Sequence, residues 1–542
     1  MQAPATLIDV LDAGFQRWPR RDAVSYLGRK LNYSQVDGWS RALAAWLQHC
    51  ELQRGDRVAL MLPNLPQVPV AVAAVLRAGL VVVNIAPGCP PAELEYLLRD
   101  SGARVVIAID EALPALQQVW SRLLVKRLLV ATPGDLLGPL RGRWVNRRRP
   151  ARPRGARLQV LAGAVPLADV LAAGRKLGFA PVAVAADDIA LIQYTGGTTA
   201  RPLGAVLLHR HLVANLLQCQ ACFEPALRGL PASEALNVAC ALPLHHIYGF
   251  NVAMMLTLHM GGCLLLLPDA QDAGAVLRTL ARQRVHCLPG TDELFQALAS
   301  HPDCERVDWT HLRLAVGGSM PVQQATARLW LHKTGCVLSE GYGLTETSPA
   351  VTCTPVDGPG WNGSIGLPLP GTELRLLDEA GQPVALGTAG EIAVRGPQVM
   401  AGYWQRPEET ARVMTADGFF RTGDIGVQDE HGALRLVDRK KDTILVSGFN
   451  VYPSEVERVV TQLPGVAECA AVAQQDARVG ETVKIVVVKT DPGSASPSEA
   501  EVRAHCEVHL TGYKRPRVVE FRADLPRTPV GKVMRRALRE HR

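Results

Sequence analysis

Through the first four hundred residues, short runs of apolar and β-branched residues alternate with segments whose apolar positions recur at helical spacing. RVALML (57–62), VVVNIA (81–86), RVVIAI (104–109) and RLLVA (127–131) each have the length and make-up of a buried strand. Between them, PQVPVAVAAVLRAG and PPAELEYLLRDSG predict helices, the second with acids early and a glycine at its end. This alternation predicts an α/β fold, with a large N-terminal domain of layered, largely parallel sheets. From about Leu374 the texture changes to shorter strands and turns: ELRLLDEAGQPV, GEIAVRG and GALRLVDRKKDTILVSG. A helix (SEVERVVTQLPG), two strands (AECAAVA and VKIVVVK) and a last helix (VMRRALREHR) then predict a small α+β C-terminal domain. The boundary falls at the charged DRKKD, giving 1–438 and 439–542.

Composition narrows this picture. An apolar fraction of 48% with 20% charged residues is that of a soluble globular enzyme. The first residues have no continuous apolar core and do not read as a secretory signal. The most apolar stretch, FNVAMMLTLHMGGCLLLLP (250–268), is interrupted by Asn251, His259, Gly261 and Gly262, so it predicts a buried helix and strand. Twelve cysteines are scattered, with one C-x-x-C at Cys219 and Cys222. They read as reduced, packed side chains, which points to the cytoplasm. The net charge of +7 is local: 141–157 holds eight arginines and no acid. Its prolines and glycines argue against a regular helix. That leaves a solvated loop or a peripheral patch for anionic membrane, with Trp144 as an interfacial anchor. No aromatic stacking platform accompanies the arginines, so nucleic acid is not an expected partner.

Four separated stretches carry chemistry. YTGGTTARPLG (194–204) combines glycine freedom with hydroxyls, which suits close approach to a polyphosphate. EGYGLTET (340–347) places an aromatic, a hydroxyl and a carboxylate within a few residues. That is enough for a base stack, a phosphate contact and a Mg²⁺ ligand. RTGDIG (421–426) offers a carboxylate on a turn, and PRTPVGKVMRR (526–536) a lysine on a glycine turn. Each alone also reads as ordinary structure: a turn, a core tyrosine, an Asx turn, a solvated charge.

Together, in this order, they resemble the adenylate-forming superfamily, and within it the bacterial long-chain fatty acid–CoA ligases. GDRVALMLPNLPQ, ALPLHHIYGF, GGSMPVQQ, GSIGLPLPGTE, GPQVMAGYWQRPEET and VDRKKDTILVSGFNVYPSEVE extend the likeness over nearly the whole chain. The resemblance implies ATP, Mg²⁺ and coenzyme A, a fatty acid substrate, and a mobile C-terminal domain. It implies that Thr195, Gly196, Gly197, Thr198 and Thr199 cradle pyrophosphate, with Thr195 and Glu346 on the metal. Gly318 and Tyr342 would sandwich adenine, Thr345 would touch the α-phosphate, and Asp424 and Arg439 would hold the ribose. Lys441 would be the hinge and Lys532 the adenylation lysine. His246 would lie beside the carboxylate, and Gly448 would line the pantetheine passage.

The implied reaction activates the acid as acyl-AMP and transfers it to coenzyme A. Two anions must meet in the first step, and Mg²⁺ with the Lys532 ammonium would offset their repulsion. The phosphate loop departs from the family pattern, which ends Gly, any residue, Pro, Lys, Gly: here it reads Ala200, Arg201, Pro202, Leu203, Gly204. Altered ATP handling is the expectation. The alternatives are an acyl-AMP ligase, an aryl or medium-chain acyl-CoA ligase, and, in another class, a non-catalytic acyl or nucleotide binder.

Overall fold

A computed structural model describes residues 4–148, 164–195, 201–231, 234–267, 270–446, 449–476, 480–527 and 533–539. The chain divides into two compact units, 1–372 with 396–412, and 373–395 with 413–542.

The first unit holds two sheets. Among the described residues one has seven strands, in the order Ala164–Pro166, Arg127–Ala131, Val105–Ile109, Arg57–Met61, Val81–Asn84, Ile189–Tyr194 and Gly204–Leu208. Every pairing is parallel except the last, where Tyr194 faces Gly204 across the mouth of the glycine–threonine loop. The second sheet is parallel from Leu338–Gly343 through Leu314–Gly317, Cys287–Gly290, Asn237–Cys240 and Cys263–Leu266 to Asp22–Tyr26, with antiparallel strands at both edges. The four strands expected at 57–131 form as read, and so do the helices Gln67–Arg77 and Pro91–Ser101. Gly102, at φ +63°, ends the second helix in the left-handed conformation that glycine adopts without strain. The interrupted apolar stretch is a π-helix, Tyr248–Met255, running into Leu256–His259 and then the buried strand Cys263–Leu266. Segment 396–412 closes onto this unit through Val206 N–H to Gly402 O at 2.9 Å and Trp404 N–H to Gly204 O at 2.7 Å.

Two expectations are corrected. The arginine segment begins inside a helix, Pro139–Arg147. Pro139 stands in its first turn, where a missing N–H costs nothing, and the next proline, Pro150, comes after its end. Gly142 packs where any Cβ would sit 2.3 Å from Gly134 O, and the Asn146 side chain bonds Gly134 N and Thr132 Oγ1. Residues 149–157 of the segment lie outside the described residues. The expected last helix is also absent from the described residues: 535–538 form one 3₁₀ turn that inserts Leu538 into a small core with Ala470, Val472, Val486 and Val488. The twelve cysteines are free thiols, as read from the sequence. No helix of the described residues is long and apolar enough to cross a membrane.

In the second unit, Glu373–Leu377, Gly390–Arg395, Phe420–Gln428 and Leu434–Arg439 form an antiparallel sheet. A five-stranded sheet follows, in which Val483, Ile485 and Val487 face one core and Val486 and Val488 the other. That alternation is the two-residue period of a strand covered on both faces.

Candidate active site

In open α/β sheets, ligands bind beyond the carboxyl ends of the parallel strands. Thr195 follows Ile189–Tyr194, His246 follows Asn237–Cys240, Gly318 follows Leu314–Gly317, and Tyr342 lies near the end of Leu338–Gly343.

Several cross-links hold these ends. Gln193 accepts from Asn84 Nδ2 at 3.1 Å and donates to His245 O at 3.0 Å, joining the Thr195 strand to the LHHIYG turn. Thr195 N–H donates to Leu203 O at 2.9 Å, which closes the base of the loop. Tyr96 donates to Pro202 O at 2.9 Å, and the Arg201 guanidinium stands over the Tyr96 ring at 5.7 Å. Leu203 thus serves the loop through its carbonyl. Gly196, Gly197, Thr198, Thr199 and Ala200 lie outside the described residues, as do Gly448 and Lys532.

At the second sheet, a Cβ on Gly318 would stand 2.9 Å from the Tyr248 ring and 3.4 Å from Gly341 O. Only glycine leaves that shelf flat. Tyr342 is half-buried and pairs with Thr352 on the adjoining strand, and Thr345 opens the 3₁₀ turn Thr345–Thr347. Glu346 in that turn is buried. Its Oε1 accepts from Tyr403 O–H at 2.8 Å, and its carbonyl accepts from Met400 N–H at 2.8 Å. Burial, then the Glu346 charge, raises the Tyr403 hydroxyl's pKa and keeps it a donor. Carboxylate and hydroxyl oxygens are hard donors, so Glu346 and Thr195 fit a magnesium ion in type. His246 is half-buried at the head of the π-helix. Its neighbour His245 has an enclosed Nδ1, and desolvation lowers its pKa to about 4, so His245 is neutral near pH 7.

Sequence reasoning missed the acids behind the shelf. Glu340 is buried and accepts from Val322 N–H at 3.1 Å, while Asp292 accepts from Gln323 N–H at 2.8 Å and the Thr326 hydroxyl at 3.2 Å. Trp361 donates to Val322 O at 2.7 Å. These contacts fix the turn in which Ser319 stands at φ +68° beside Gly318. Burial, with Asp292 nearby, pushes Glu340 up to about 8, against the Val322 hydrogen bond. Glu340 stood inside the quoted EGYGLTET; nothing local in it named Val322 as partner.

In the second unit Asp424 and Arg439 are register partners on neighbouring strands, with Arg439 Nε 3.1 Å from Asp424 Oδ1. Lys441 is exposed in the 3₁₀ turn Lys440–Asp442. One further cluster, Glu234, His286 and His311, brings ligand-type atoms within 4.8 Å of one another at the amino ends of the strands. Asn237 N–H donates to His286 Nδ1 at 2.9 Å, so the neutral ring carries its proton on Nε2, facing Glu234 at 3.2 Å. Glu234 and His286 close this strand end by hydrogen bonding, with the His311 ring edge-on to His286 at 6.3 Å.

The residues expected to meet a nucleotide thus stand at strand ends of an α/β unit and, in the smaller unit, on a carboxylate–arginine pair. The chain belongs to the AMP-binding enzyme family, whose model matches residues 11–404, and the model of that family's C-terminal domain matches residues 455–532. It is 42% identical over 536 residues to a long-chain-fatty-acid–CoA ligase of Escherichia coli O157:H7, covering 99% of this chain and 94% of that one. A long-chain-fatty-acid–CoA ligase of Bacillus subtilis (strain 168) is 34% identical over 543 residues, with the same coverage. ATP-bound MatB from Rhodopseudomonas palustris superposes with a TM-score of 0.84 at 31% identity, covering 98% of each chain.

Glu340 makes stability depend on pH. Its folded pKa of about 8 lies above the ordinary 4.5, so between those values the folded state holds a proton that the unfolded state has released. Stability therefore falls as pH rises through that window. Glu340→Gln keeps an acceptor for Val322 and does not titrate. Its melting temperature is expected to gain about 1–3 °C on the wild type between pH 5 and pH 8. Thermal melts at both pH values check this, and a pH-independent difference counts against it.

Proposed function

We propose that this chain is an ATP-dependent long-chain fatty acid–CoA ligase that works through an acyl-adenylate. The observation that carries this reading is likeness to long-chain-fatty-acid–CoA ligases over 99% of the chain. Fatty acid, ATP and coenzyme A are the substrates; acyl-CoA, AMP and pyrophosphate are the products. In this reading 194–204 cradles pyrophosphate, Gly318 and Tyr342 hold adenine, Thr345 contacts the α-phosphate, and Asp424 with Arg439 takes the ribose. Mg²⁺, when bound, supplies positive charge to the phosphates; Glu346 and Thr195 would hold it. His246 orients the fatty carboxylate, and Lys532 brings an ammonium between that carboxylate and the phosphate. Domain 439–542 then turns at Lys441, and Gly448 leaves room for the pantetheine arm.

The first unit holds a small apolar pocket of about 10 Å³, which would have to widen to admit an acyl tail. Phe223, Leu227, Val252, Leu256, Met260 and Val316 are among its lining residues. Val316 sits two residues before Gly318, at the carboxyl end of its strand, whereas Leu236 and Leu314 mark the far, amino end. A tail entering beside the shelf would run toward Met260.

The arginine segment supplies a membrane contact in this reading. On helix Pro139–Arg147 the solvent face carries Leu140, Arg143, Trp144 and Arg147, spaced i, i+3, i+4 and i+7, with Leu140 84% and Trp144 53% exposed. Apolar side chains flanked by arginines suit a leaflet of anionic lipid, which is also where long-chain acids partition.

Release of AMP and formation of acyl-CoA from a fatty acid panel, with and without coenzyme A, tests the reaction; long-chain acids are expected to give both, and AMP without thioester would redirect it to acyl-AMP ligation. Lys532→Ala is expected to lower adenylation about 10²–10³-fold while sparing thioester formation from supplied acyl-AMP. Equal loss in both steps contradicts the assigned role. Met260→Trp is expected to raise KM for the longest chains several-fold and leave medium chains unchanged, read from a chain-length series. Sedimentation with anionic vesicles is expected to carry the protein down at low salt and release it at high salt. Binding unchanged after replacing the 141–157 arginines with glutamine would remove the membrane contact.

A further inference from the structure

The segment around Lys441 carries two sets of anchors and one cross-tie. After the hinge, Arg539 Nη2 donates to Lys441 O and to Asp442 Oδ1, each at 3.3 Å. Arg535 pairs with Glu457 at 2.8 Å, and Glu457 also accepts from Ala471 N–H at 2.7 Å. The peptide following Lys441 is therefore fixed to the body built on helix Pro453–Val460. Before the hinge, Lys440 Nζ bonds Glu391 at 2.9 Å and Arg439 pairs with Asp424, which fixes that side to the four-stranded sheet. Rotation is thereby concentrated on Lys441.

Ser454 ties the two sides together. Its N–H donates to Asp438 Oδ2 at 2.7 Å, and its hydroxyl donates to Val437 O. Asp438 is held on the sheet side, because its Oδ1 accepts from Arg439 N–H at 2.7 Å. The tie also does the work of a helix cap. Tyr452, the N-cap residue of Pro453–Val460, gives no side-chain cap, and Pro453 has no N–H. Ser454 thus presents the first free N–H of the helix, where a carboxylate is favoured by both hydrogen bonding and the helix dipole. Sheet and helix belong to opposite sides of Lys441, so a large change in its φ and ψ separates Ser454 from both partners.

We infer that Asp438 and Ser454 form a latch across the Lys441 hinge, closed in one of the two arrangements that the reaction needs and broken in the other. Neither side chain touches substrate; both are positioning residues that set how readily the C-terminal body leaves one half-reaction for the next. This rests on the ligase reading and on Lys441 as its hinge. A charge-assisted hydrogen bond of this kind is enough to bias such an equilibrium about tenfold.

The test separates the half-reactions on the full chain. Acyl-adenylate formation is timed from a long-chain acid and ATP without coenzyme A, and thioester formation from supplied acyl-AMP and coenzyme A. Wild type, Ser454→Ala, Ser454→Thr, Asp438→Ala and the Ser454→Ala/Asp438→Ala pair are compared. Opening the latch is expected to change the ratio of the two rates about tenfold, one step slowing and the other not. KM for ATP and fatty acid should stay within twofold, the pair should add little to the larger single effect, and Ser454→Thr should restore the wild-type ratio. Rates that fall together, or an unchanged ratio in variants that melt like the wild type, overturn the latch. A wild type that makes no acyl-CoA from any long-chain acid overturns the ligase reading itself, a result distinct from an active enzyme with an insensitive ratio.

Discussion

Parallel strands fix where the candidate site residues of this protein gather. Each ends at the same edge of its sheet, so the loops that follow them gather there without further instruction. Gln193 adds the decisive hydrogen bonds: one amide accepts from Asn84 and donates to His245 O, tying three chain segments at the mouth of the glycine–threonine loop. A buried amide with both ends paired is stable; with one end lost it carries an unmet desolvation cost of roughly 1–3 kcal/mol. The fold thus holds Gln193 in place, and Gln193 holds the strand end.

The same economy of buried polar groups shapes the shelf at Gly318. Gly318 lies flat because the turn behind it is pinned by Glu340, Asp292 and Trp361. Burial raises the pKa of both acids, Glu340 to about 8, so the site keeps at least one carboxyl protonated near neutrality. Two ionised carboxylates behind the shelf would repel each other. A protonated Glu340 still accepts from Val322 and adds no charge.

What could be read from the sequence followed the range of the interaction that makes each element. The strands at 57–131 declare themselves by short apolar runs, and the helix Pro91–Ser101 by its early acid and terminal glycine. Helix Pro139–Arg147 does not, because it depends on Gly142 packing against Gly134 and on Asn146 reaching Thr132. The tail 533–539 carries helical spacing, yet Leu538 is drawn instead into a core built by two distant strands. The site divides in the same way. Glu346, Tyr342, Asp424 and Arg439 stand in recognisable motifs, and so does Tyr403, but its pairing with Glu346, 57 residues away, is set only by the fold.

The glycine–threonine loop, with Leu203 in place of a lysine, follows from this division between side chain and backbone. Thr195 is held by the carbonyl of Leu203, and Pro202 by the Tyr96 hydroxyl, so the loop's base needs no particular side chain at 203. Positive charge has not left the neighbourhood: Arg201 stands two residues away, its guanidinium over the Tyr96 ring. A guanidinium on an aromatic face keeps its charge while losing rotamer freedom. Polyphosphate is met in such loops first by backbone N–H groups and hydroxyls, with a single cation as supplement. With Leu at 203 the base of the loop keeps its backbone hydrogen bonds, and Arg201 keeps a cation two residues away.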